Sequence, residues 1–137
     1  VLGPADRRSL RGDVRRVLRL GGRCALDVTT PARLTEPSVR THWEAVDVPG
    51  FWKPGPHLVL TQEFIYPEAA IELHQYSVLE PDGRLTVYRN WFRHYTLETL
   101  SAVLDEAGFD MLGAYDDLAG APRTADSEWL GVVVARR

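Results

Sequence analysis

A single cysteine, Cys24, serves a chain of 137 residues. One thiol cannot close a disulfide within the chain, which excludes a disulfide-stapled secreted scaffold and any multi-cysteine zinc site and points to a reducing, cytoplasmic setting. Also missing is any apolar run near the roughly 18–20 residues of a membrane span, and the N-terminus lacks a signal-peptide pattern. A soluble chain with no membrane contact is expected. No Gly-x-Ser-x-Gly elbow and no P-loop occurs, so hydrolase and nucleotide-triphosphatase readings fall away. Internal repeats and low-complexity segments are absent too. What is there, 45% hydrophobic and 26% charged residues, is the balance of one globular domain spanning 1–137. At this length about two thirds of the unfolded chain's surface is buried on folding, so a core needs no staples.

The net charge of −3 conceals an asymmetry. Residues 1–23 hold seven Arg against Asp6 and Asp13, a local +5, which leaves −8 for the remainder. The arginines alternate with Leu10, Val14, Val17 and Leu18 at helical spacing, so they read as the solvated face of an amphipathic helix. Because most of the chain is acidic, no nucleic-acid partner is expected.

That helix is predicted over Pro4 to Leu20, with Pro4 at its start and Gly21-Gly22 at its stop. The apolar run Arg23–Thr29 suits a strand covered on both faces in a parallel α/β sheet. Residues 30–56 carry five prolines and no periodicity, and read as a long excursion. Within it Trp43, Val46, Phe51 and Trp52 are apolar enough to cover something. Strand-like runs follow at 57–66, 71–79 and 85–92, the last two joined by Pro81-Asp82-Gly83, which predicts a three-stranded antiparallel sheet. In the first of these runs alternation puts Leu58, Leu60, Phe64 and Tyr66 on one face. Thr96 caps a helix to about Ala107 with Leu97, Leu100, Val103 and Leu104 as its buried stripe, and Gly108 ends it. Residues 109–115 and 129–135 read as two more strands.

Three stretches, "RRVLRLGGRCALDV", "YTLETLSAVLDEAGFDMLGAY" and "SEWLGVVVAR", resemble the C-terminal half of class I S-adenosylmethionine-dependent methyltransferases. The segment from Phe64 to Thr96 looks like the antiparallel insertion of many small-molecule members, so that 31–95 forms the excursion and insertion on the acceptor side. The implied fold is α/β: the C-terminal half of a Rossmann-like sheet with an inserted three-stranded antiparallel sheet. The implied activity is methyl transfer from S-adenosylmethionine to a small-molecule acceptor. The family's glycine-rich cofactor turn follows a strand and opens a helix, whereas Gly21-Gly22 follow a helix. The cofactor is therefore expected to be held mainly by an N-terminal half, with Val1-Leu2-Gly3 as the tail of an element preceding this chain. A strand as apolar as Cys24–Val28 with an unpaired edge implies a homo-oligomer or a complementary half. The alternative reading is a non-catalytic assembly half-domain that pairs with a partner chain through that edge.

Ligands in open α/β sheets sit beyond the carboxyl ends of the strands, which selects Asp27, Thr29 and Thr30, although both threonines equally suit a turn cap before Pro31. Glu63, Glu72, His74, Tyr76, Tyr88, Arg89, Trp91, His94 and Tyr95 give the inserted sheet its titratable and aromatic side chains. Alternation places Glu72, His74 and Tyr76 on one strand face, and Arg89 and Trp91 on one face of the next. Arg89 suits an acceptor carboxylate. The same residues also suit cross-strand pairing on a half-exposed sheet. By the resemblance, His74 or Glu63 supplies acid–base chemistry, while Thr29, Thr30, Tyr76, Arg89, Trp91 and Tyr95 line the acceptor cleft. Among Glu72, His74 and His94, the Glu-x-His spacing allows two metal ligands on one strand face but leaves a third unassigned, so no metal site is expected. His42 and His57 are assigned to the surface, and Cys24 to inert packing.

Overall fold

The computed structural model describes residues 4–34 and 38–137. Val1-Leu2-Gly3, expected to be the tail of an earlier element, and Pro37 of the excursion lie outside the described residues. Those described form two compact units, one of residues 38–93 and one of residues 4–34 with 94–137. No helix among them is long and apolar enough to cross a membrane.

The second unit contains α1 (Pro4–Val17), β1 (Arg23–Thr29), α2 (Leu97–Glu106), β6 (Phe109–Tyr115) and β7 (Trp129–Arg136). Its sheet has the order β1-β7-β6, and both pairings are antiparallel. β1 and β6 thus share a direction, as expected of parallel α/β strands, but β7 lies between them. Leu130, Val132 and Val134 of this middle strand pack with Leu100, Leu104 and Phe109, and Val14, Leu18, Cys24, Leu26 and Val28 lie against that cluster.

Two expectations are corrected here. β1 is covered on one face and not on both: Arg23, Ala25 and Asp27 are exposed while Cys24, Leu26 and Val28 turn inward. The alternation was present in RCALDVT, with its two charges on the outward side. α1 ends at Val17 instead of Leu20, and only Val14 and Leu18 of the expected stripe pack on the core; Leu10 and Val17 are exposed. The chain then turns through Gly21, at φ +71°, so that the Gly21 amide donates to the Arg136 carbonyl and the Arg136 amide to Gly22. Thr96 caps α2 as expected, and Thr99 completes a reciprocal capping box.

The first unit is an antiparallel sheet, β2-β3-β4-β5, of Ser38–Val46, His57–Tyr66, Ile71–Leu79 and Leu85–Arg93. The three expected strands form, and the excursion contributes a fourth, β2, at the edge. Sequence pattern concealed β2 because its alternation is weak and most of its residues are exposed. The Pro81-Asp82-Gly83 turn forms as expected: Gly83, at φ +85°, donates to the Glu80 carbonyl, and the Glu80 amide to Arg84. Lys53 and Arg84 both bind Glu80, at 3.1 and 2.9 Å, and hold its carboxyl below its ordinary range. These contacts tie the segment between β2 and β3 to the β4–β5 hairpin.

Leu58, Leu60, Phe64 and Tyr66 do share a face of β3, but it is the more open one. The buried positions are His57, Val59, Thr61 and Ile65. The surface assignment holds for His42, which is exposed, and fails for His57, whose Nδ1 lies 2.7 Å from the Gly55 carbonyl. Gly50 of the β2–β3 connection lies against the ring, where a Cβ would come within 3.3 Å of its Cε1.

Candidate active site

Antiparallel register determines which side chains meet. Residues directly opposite one another project on the same face. Glu63 of β3 stands opposite His74 of β4, and His74 opposite Asn90 of β5. One face therefore gathers Glu63, Glu72, His74 and Tyr76, with Phe92 from β5 alongside. The His74 and Phe92 ring centroids are 4.9 Å apart.

The geometry within this group is a relay. His74 Nε2 lies 2.6 Å from Glu72 Oε1, and its Nδ1 lies 3.2 Å from the Tyr76 hydroxyl. A proton on Nε2 satisfies both contacts: the ring donates to the buried Glu72 and accepts from Tyr76. Burial first, then the negative charges of Glu63 and Glu72, hold the Tyr76 phenol above its ordinary 10.0, so it stays a donor. Trp52 closes over the tyrosine, with ring centroids 4.7 Å from Tyr76 and 4.9 Å from Tyr88. The excursion thus supplies a cover, as its apolar content suggested, although Trp43 and Phe51 remain exposed.

Glu63, Glu72 and His74 also place one ligand atom each within 4.8 Å of one another, a geometry open to a cation. This triad differs from the Glu72, His74 and His94 set, because Glu63 is the cross-strand neighbour of His74 while His94 belongs to the other unit.

Arg89 and Trp91 do not join this group. Their register partners are Gln75 and Leu73, on the opposite face of the sheet, where Arg89 Nε donates to Gln75 Oε1 at 2.7 Å. The expectation that they line one cleft with Tyr76 is corrected by this pairing: odd and even positions of β4 and β5 project to opposite sides. Thr29, Thr30 and Tyr95 lie together in the other unit, where the Tyr95 amide donates to the Thr29 carbonyl. The Thr30 hydroxyl donates to the Ser127 carbonyl at 2.6 Å and accepts from the Ala32 amide at 3.2 Å. It caps the 3₁₀ turn Pro31–Arg33, the turn-cap role that its sequence equally suited.

No protein-family model matches the sequence, and no curated protein matches it. Solved structures do. The CcbJ methyltransferase from Streptomyces caelestis aligns with TM-score 0.65 and 18% identity over 100% of this chain and 56% of its own. An S-adenosylmethionine-dependent methyltransferase from Clostridium acetobutylicum aligns with TM-score 0.69 and 14% identity, over 99% and 53%. The sugar N-methyltransferase KedS8 from a Streptoalloteichus species aligns with TM-score 0.56 and 19% identity, over 97% and 49%.

The fold is methyltransferase-like. It is α/β and part of a Rossmann-like domain, as the three sequence stretches implied, and the chain spans about half the length of each of these structures. A methyltransferase-like fold raises the question of where its cofactor sits. The Gly21 and Gly22 amides donate to Arg136 and Arg19 carbonyls, so neither is free to face a ligand. Among the described residues this glycine pair does not fit a cofactor cradle.

Sequence reasoning named two groups without their roles here. Glu72 was noticed for its spacing but not as the residue that fixes His74. Trp52 had only its aromaticity to mark it.

Proposed function

We propose that this chain is the acceptor-side part of an S-adenosylmethionine-dependent methyltransferase acting on a small-molecule amine, with the cofactor held mainly outside the chain. The observation that carries the acceptor site is the Tyr76–His74–Glu72 relay beneath Trp52. Two carboxylates and several ring faces suit a cationic amine, and the aromatic cover excludes water from the reacting nitrogen. An amine must lose a proton to be a nucleophile, and Tyr76 is placed to pass it to His74, whose imidazolium Glu72 would stabilise. Glu63 gives the ammonium form a counter-charge. His74 thus keeps the acid–base role read from the sequence, while Glu63 becomes a binding group. The sugar N-methyltransferase activity named for KedS8 agrees with this acceptor class.

The test is methyl transfer by the full-length protein to a panel of primary amines, amino sugars included, followed by mass gain. His74→Gln and Tyr76→Phe should each lower turnover more than tenfold. Glu63→Gln should chiefly raise KM. Unchanged turnover in both His74→Gln and Tyr76→Phe would retire the relay.

A second reading, an assembly half-domain, is favoured by one feature: among the described strands β1 pairs only with β7, leaving one edge free. It predicts a defined assembly that ignores S-adenosylmethionine.

A further inference from the structure

The four-stranded sheet has its faces inverted relative to an ordinary amphipathic sheet. The face carrying Glu63, Glu72 and His74 holds most of the buried positions, Val59 and Val78 among them, whereas Leu73 is the buried residue of the other face. The opposite face, followed through the register, presents Trp43, Leu58, Leu60, Tyr66, Leu85 and Trp91, and every one of these is exposed. Trp43 is 71% and Leu85 59% exposed. Exposed apolar surface on this scale, lying on both sides of a central polar row, marks an interaction site.

From this we infer that the outer face of the β2–β5 sheet is the self-association surface, packed against the same face of a second copy. Three features of the face specify a copy as the occupant. The first is size. Four strands about 4.8 Å apart and nine residues long make a face of roughly 20 by 30 Å. That footprint suits the about 800 Å² per partner of a standard stable interface. The second is the middle of the face, where Thr41, Gln62, Gln75 and Arg89 form one polar row across all four strands. Arg89 donates to Gln75, and Gln75 Nε2 donates to Gln62 Oε1 at 3.0 Å. Amides carry both donors and acceptors, so this row can pair with its own copy. The third is charge. The face carries no carboxylate, and its two cations, Arg89 and Arg93, lie on β5, whereas β2 at the opposite edge contributes Val39, Thr41, Trp43 and Ala45.

A twofold axis parallel to the strands places β5 of one copy over β2 of the other. The arginines then meet the aromatic edge and not each other, with Arg89 near the face of Trp43. An axis along the polar row would set Arg89 against Arg89, so the strand-parallel axis is the one assigned. This surface is distinct from the free edge of β1. It does not depend on the methyltransferase reading.

Sedimentation velocity of the purified protein tests it, with far-UV circular dichroism to confirm that each variant is folded. The wild type should be a dimer at micromolar concentration. Leu60→Arg, at the centre of the face, and Trp43→Ser, on the exposed edge strand, should each weaken the dimer at least a hundredfold. Glu44→Arg, exposed on the opposite face, should leave it intact. A wild-type monomer at 100 µM overturns the inference. So does a dimer that survives both Leu60→Arg and Trp43→Ser, which would put the contact elsewhere, the β1 edge included.

Discussion

Gly131 shows how little room a single position can leave. It lies in the middle strand β7, and a Cβ there would approach the Asp117 carbonyl oxygen to 2.5 Å and its carbon to 2.7 Å. Both are backbone atoms in a loop that is itself tied down. The Asp117 carboxylate accepts from the Ala119 and Ala121 amides, and Asp116 accepts from the Thr124 amide and hydroxyl. The Thr124 hydrogen bonds hold the Asp116 carboxyl below its ordinary 3.8, as expected of an anion receiving two donors. The loop cannot retreat without losing these bonds. Gly131→Ala should therefore cost about 1–3 kcal/mol, the range of overpacking, seen as a lower urea midpoint at unchanged m-value. An unchanged midpoint would mean that the loop does not rest on β7. Nothing local in the sequence marks this glycine, because the segment that crosses it lies outside its own strand.

At the scale of elements, α2 is the part whose sequence and structure agree most closely. Thr96 and Thr99 exchange hydrogen bonds at the first turn, with each side chain accepting from the other's backbone amide. Thr96→Ala removes one half of that exchange and should lower stability by about 1 kcal/mol. Thermal unfolding should register a drop of several degrees; a shift below one degree would show that the helix is held by packing alone. α2 was legible because cap, stripe and stop lie within one local window. The hairpin at Pro81-Asp82-Gly83 was legible for the same reason. Register between β3 and β4 was not: their connection, Pro67–Ala69 followed by Ala70 at φ 50°, uses no glycine and no recognised hairpin pair. Yet register is what brings Glu63 opposite His74 and sends Arg89 and Trp91 to the other face. The candidate site was therefore visible along β4, where alternation alone aligns Glu72, His74 and Tyr76, and hidden across strands.

At the scale of the whole molecule, the proposed acceptor site and the described glycine turn differ in what their backbone amides are left to do. A cradle needs free amides at a helix start or turn, where the backbone points donors outward. At the described glycine turn between α1 and β1 those amides are already spent on Arg19 and Arg136. The Tyr76–His74–Glu72 relay needs no such turn, since it is built from alternation and register within one sheet. Acceptor binding and cofactor binding should therefore separate. Titrated into this 137-residue chain, S-adenosylmethionine should give no saturable heat at millimolar concentration, while an amino-sugar probe should quench Trp52-dependent fluorescence. On the proposed reading, supplying the part of a methyltransferase fold that this chain does not span, in a longer chain or in trans, should give cofactor binding in the micromolar range. Tight binding of S-adenosylmethionine by the chain alone would place the cradle within it. Failure of the longer chain to bind the cofactor would favour the assembly reading, in which the free edge of β1 is the functional surface.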